Sequence, residues 1–131
     1  MGYLTRTRIA GCRDMHAIKG GYIFSNGSYQ IWGSASAHAC ADAGTVFISG
    51  GNGGTWEIYG TPVFSQGFVY AVERGEIASH TMSLAAGSGN CGAGTPRYSA
   101  NWQSMVASSG GGPDYFPGTS PGSVDATSIY L

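Results

Sequence analysis

The chain has 131 residues, 42% of them apolar and 10% charged, with a net charge of −1. That length fits one domain with a real core, the apolar content excludes a disordered chain, and the near-zero net charge argues against a nucleic-acid-binding surface. Glycine is abundant, 23 of 131 residues, against a usual ~7%, but no Gly-X-Y period accompanies it, which excludes collagen.

Residues 1–19 read as an arm. It is basic: within residues 1–20, Arg6, Arg8, Arg13 and Lys19 stand against Asp14 alone. Such an arm can dock on a neighbour's acidic surface or remain a solvated basic end. No continuous apolar segment of about seven residues lies in this region, so no leader is expected. Nor does any stretch approach the ~20 apolar residues that cross a bilayer, so no membrane insertion is expected.

The clearest local signal is Tyr22 to Ser25, then Asn26-Gly27, then Ser28 to Trp32. Asn-Gly between two β-prone runs predicts a hairpin, because both central positions of a type I′ turn need positive φ. Residues 33–44 are small and polar, with alanine at every second position from Ala35 to Ala43. That period fits either a flat strand packed closely on something or a long loop. Thr45–Ser49 and Thr55–Tyr59 flank a glycine-rich loop and predict a second hairpin, with Trp56 and Ile58 on one face and Glu57 and Tyr59 on the other. Pro62 ends this unit. Phe68–Glu73 and Glu76–Leu84, joined by Arg74-Gly75, predict a third hairpin.

Residues 85–97 read as a loop. Residues 99–108 are the one helix candidate, with Trp102, Met105 and Val106 at i, i+3 and i+4 and Ser99 as an N-cap; a further strand is the alternative there. Residues 109–131 hold three prolines and read as an extended tail anchored by Tyr115 and Phe116. It ends on Ile129, Tyr130 and Leu131, apolar for a free terminus. The expected fold is therefore all-β: an antiparallel, hairpin-rich sandwich, jelly roll or compact barrel, with at most one short helix and extended termini. Its divisions are an arm (1–19), a β domain (20–108) and a tail (109–131) packing on the domain or on a neighbouring subunit. No internal repeat of fixed period is evident.

The residues that could carry chemistry do not form a site. Glu73 and Glu76 flank a turn with Arg74 between them, which reads as solvated surface rather than a glycosidase pair. Cys12, Cys40, Cys91, His16, His38 and His80 include two short pairs, Cys12-x₃-His16 and His38-x-Cys40, but no common zinc spacing. No nucleophile elbow and no Walker loop occur. No catalytic, cofactor-binding or metal-binding residue is assigned, no cofactor is expected, and the chain is expected not to be an enzyme. Trp32, Trp56, Trp102 and the tyrosines, notably Tyr29, Tyr59 and Tyr70, serve either as core and interface or as a platform for a sugar.

Low charge, extendable ends, no expected leader and a hairpin-rich body point to a structural assembly protein. The expectation is a bacteriophage virion component (capsid decoration, capsid shell, or tail or fibre), made in host cytoplasm and associating with copies of itself and with other virion proteins. Arg6, Arg8, Tyr115, Phe116, Ile129, Tyr130 and Leu131 are its expected interface residues. Deleting 118–131 is expected to abolish assembly while leaving the core folded. The alternative is a lectin-like module that binds a surface glycan.

Overall fold

The structure, a computed structural model, describes residues 2–5 (backbone alone) and 13–131. Arg6, Arg8 and Cys12 lie outside the described residues. Among the described residues there are fourteen strands and no helix. The chain winds in successive coils. The first carries β1 (Gly2–Thr5), β2 (Arg13–Ile18) and β3 (Tyr22–Asn26). The second carries β4 (Tyr29–Trp32), β5 (Ala35–Asp42) and β6 (Thr45–Ser49). The third carries β7 (Thr55–Tyr59), β8 (Phe64–Val72) and β9 (Glu76–His80). The fourth carries β10 (Ser83–Leu84), β11 (Tyr98–Ala100) and β12 (Met105–Ala107), and the last β13 (Ser123–Val124) and β14 (Ile129–Tyr130).

Each strand pairs with its counterpart one coil away. The first sheet runs β1-β4-β7-β10, the second β2-β5-β8-β11-β13 and the third β3-β6-β9-β12-β14. Every ladder among the described residues is parallel. This is a β-solenoid, which advances about 4.8 Å per coil, the spacing of hydrogen-bonded strands.

The expected antiparallel sandwich, jelly roll or barrel is therefore wrong, although the all-β class holds. A parallel pair needs a long crossover, and here the strands on the other two faces provide it. The three expected hairpins are corners. Gly27, with φ 88°, does turn the chain, but its N–H donates to the Ser49 carbonyl of the next coil at 2.9 Å, and the chain passes from the third sheet to the first instead of folding back. The expected helix over 99–108 is two short strands, β11 and β12, split by left-handed Trp102 and Gln103. Its i, i+3, i+4 apolar spacing arises because a corner falls between Trp102 and Val106.

The core lies between the three sheets. Its columns run along the solenoid: Ile31 beside Ile58, Tyr29 beside Trp56, and Val46 beside Ile77 beside Val106, all buried. In the second sheet, Ala17, Ala41, Ala71 and Ala100 form a buried column of small residues. The alternating alanines of 35–43 are thus strand, not loop. Residues 109–131 complete the open end. Phe116 packs in the core beside Trp56, and Tyr130 stacks on Tyr98 with ring centroids 4.0 Å apart. Arg97 pairs with Asp114 at 3.0 Å and donates to the Gly118 carbonyl. Because 118–131 carries β13 and β14, its deletion would strip a coil as well as any contact surface.

Candidate functional site

One polar feature is internal. Asp14 on β2, His38 on β5, Tyr29 on β4 and Trp56 on β7 form a hydrogen-bonded chain with each link 2.9 Å long. The Trp56 indole N–H donates to the Tyr29 hydroxyl oxygen. That hydroxyl can then donate to His38 Nε2, and the Nδ1 N–H to Asp14 Oδ2. The His38 ring lies 4.6 Å from that of Phe68. Burial pushes the Tyr29 phenol well above its ordinary value. The order carboxylate–imidazole–hydroxyl resembles a nucleophile relay. Here, however, the hydroxyl is enclosed between Trp56 and His38, so its role is to tie the first and second sheets together through the core.

Three outward surfaces remain. On the first sheet, Trp32 and Tyr59 stack at 4.4 Å. Beside them the Trp32 indole donates to Gln30 at 3.1 Å, the Gln30 amide to Glu57 at 3.0 Å, and the Tyr59 hydroxyl to Glu57 at 3.1 Å. These groups satisfy one another, and each ring covers a face of the other. The cluster is a surface ladder that holds β4 on β7.

On the third sheet two of the three outward rows are mostly apolar, and the third reads Asn26, Ser49, His80. One row reads Tyr22, Thr45, Glu76, Met105, Ile129; the next reads Phe24, Phe47, Ala78, Ala107. Phe24 and Phe47 stack at 5.6 Å, and the Leu131 N–H donates to the Val106 carbonyl at the end of this sheet. Tyr22 is 65% exposed, Phe24 55%, Ile129 48% and Leu131 56%.

The third surface is the corner between the second and third sheets. Glu73 and Arg74 of one coil, Trp102 and Gln103 of the next, and Thr127 line an open depression of about 520 Å³. Glu73, Arg74, Trp102 and Gln103 all have left-handed φ, between 53° and 64°. Non-glycine residues hold that conformation at a cost of order 1–3 kcal/mol each. The corner is braced. The Arg74 N–H donates to the Trp102 carbonyl at 3.0 Å, and the Gln103 N–H to Thr127 Oγ1 at 2.9 Å. Asp125 accepts from the Trp102 N–H at 2.6 Å, which holds its carboxyl well below the usual carboxylate range.

Of the expected interface residues, Ile129 and Leu131 lie exposed on the third sheet, whereas Phe116 is in the core and Tyr130 is partly buried against Tyr98. The Tyr115 hydroxyl accepts from the Met82 N–H at 3.0 Å inside the solenoid. Tyr29 faces the core, while Tyr59 and Tyr70 are half-exposed. Among the described residues no three metal-ligand side chains converge. His38 and Cys40 are both buried, and His16 and His80 are exposed.

Cys40 and Cys91 are free and buried. Burial pushes the Cys40 thiol up to about 11 and the Cys91 thiol to about 12 from an ordinary 9.0. In a Cys12→Ser variant, neither thiol is expected to react with a disulfide reagent at pH 8 until denaturant is added. The folded chain keeps these protons where the unfolded chain releases them, so stability should fall as pH rises from about 9 towards 11. Thiol release in the native state at pH 8 would contradict this.

Comparison with family models, with curated proteins and with solved structures finds no match.

Proposed function

We propose that this chain is a non-enzymatic structural assembly module, a bacteriophage virion component of the tail or fibre kind, whose third sheet packs against a second copy of itself. A solenoid extends along one axis, which suits a fibre better than a shell. The observation that carries the reading is the exposed apolar face made by Tyr22, Phe24, Phe47, Ile129 and Leu131. Soluble monomers rarely expose contiguous apolar patches above a few hundred Å². Strands of five, five, five, three and two residues, about 4.8 Å apart with about 3.3 Å per residue, make a face of about 300 Å². Two such faces together bury about 600 Å², below the 1,200–2,000 Å² of a stable complex. The contact is therefore reversible in the isolated chain, and a longer fibre strengthens it by repetition.

Light scattering from about 10 μM to about 1 mM checks this, a range set by that small area. The mass is expected to rise with concentration in the native chain and to stay monomeric in a Tyr22→Ser/Phe24→Ser variant. A native chain that remains monomeric throughout would contradict self-packing. Antibodies raised against the chain should label tails or fibres of purified particles, not heads.

A further inference from the structure

We infer that the corner depression at Glu73, Arg74, Trp102 and Gln103 binds a neutral sugar of a glycan, a function independent of self-packing through the third sheet. The three tryptophans differ in what they leave free. Trp56 gives its indole N–H to Tyr29, and Trp32 gives its own to Gln30 while stacking on Tyr59. Trp102 is 60% exposed, and among the described residues its indole N–H and both ring faces have no hydrogen-bonding or aromatic partner. A bare indole face beside polar groups matches the apolar C–H face of a pyranose, whose hydroxyls lie around the rim.

Polar groups of both kinds surround that ring. Arg74 donates through Nε to the Gln103 side-chain oxygen at 3.0 Å, which fixes the guanidinium and leaves its two terminal nitrogens unpartnered among the described residues. The Gln103 amide nitrogen is likewise unpartnered, and Glu73 adds a carboxylate that accepts. Sugar hydroxyls both donate and accept, so a mixed set of this kind serves vicinal hydroxyls. Charge decides between neutral and acidic sugars. Arg74 is the one cation lining the depression, while Glu73 lines it and the ionised Asp125 braces it. That balance disfavours a uronate. The left-handed backbone at all four positions presents these side chains outward on a braced corner, where the equivalent turn of the first coil uses Lys19 and Gly20.

The test is an array of neutral and uronic-acid oligosaccharides, followed by calorimetric titration of the full chain with the best neutral one. Trp102→Ala and Arg74→Ala should each weaken binding about tenfold or more, a loss of at least 1.4 kcal/mol, with urea midpoints unchanged. Trp102→Phe should keep most of the affinity, and Tyr59→Ala all of it. Absence of any neutral ligand at millimolar concentration, preference for uronates, or loss on Tyr59→Ala in place of Trp102→Ala would each overturn the assignment. Tyr22→Ser/Phe24→Ser should bind sugar normally, which separates this site from the assembly face.

Discussion

Replacing His38 with leucine is expected to destabilise the folded chain by about 3 kcal/mol, read as a shift in urea midpoint at constant slope. Leucine fills much of the imidazole's volume, so the loss is polar and not a cavity effect. It removes the acceptor of the Tyr29 hydroxyl and the N–H that faces Asp14 Oδ2, both at 2.9 Å. Each group is buried, so water does not replace the lost partner without opening the core. Asp14→Asn keeps an oxygen that accepts from the imidazole and should cost less, about 1 kcal/mol. His16→Leu, at an exposed position of β2, should stay within about 0.5 kcal/mol. Equal effects of His38→Leu and His16→Leu would show that the internal chain of hydrogen bonds contributes nothing.

Gly75→Ala is expected to cost about 3 kcal/mol or more. A Cβ there would sit 1.9 Å from the Ala41 carbonyl oxygen and 2.8 Å from that of Val72. Both are backbone atoms within the stacked coils, and neither can move without breaking a ladder. Gly60→Ala provides the contrast. A Cβ at Gly60 meets nothing within 4 Å, and its φ of 71° is the one penalty, about 1 kcal/mol. Gly75 is not in the left-handed region, so a loss at Gly75 no larger than that at Gly60 would mean that the close approach of coils does not make glycine necessary at the second-to-third-sheet corner.

Much of the local structure was legible in the residues. The alternation of Thr55–Tyr59 puts Trp56 and Ile58 on one face, and that face is the inward one. The turn at Gly27 also follows from residue type, whereas the alternating alanines fit strand and loop alike until their ladders are seen. Strand partners did not follow. A hairpin and a solenoid corner demand the same glycines and the same flanking β-prone runs; they differ only in which distant segment receives the hydrogen bonds. The repeat that would have disclosed the coils is uneven. Ile23 pairs with Val46, Val46 with Ile77, Ile77 with Val106 and Val106 with Tyr130, so the step varies between 23 and 31 residues and no fixed period registers.

The candidate sites divide in the same way. Ile129 and Leu131 were recognisable as apolar ends in need of cover, but the flat face that joins them to Tyr22 and Phe24, over a hundred residues away, exists only once β3 and β14 share a sheet. His38 suggested a short metal pair with Cys40; its real partners, Asp14 and Tyr29, come from two other strands. The spacing of Trp102, Met105 and Val106 is that of a helix stripe, yet Trp102 stands on an outward corner beside Arg74. Residue type and local alternation suffice for an all-β chain, short strands broken by glycine and a low-charge surface. The tertiary structure alone decided parallel over antiparallel, core over surface for each aromatic, and which polar groups converge, because these depend on pairings between coils that no local pattern encodes.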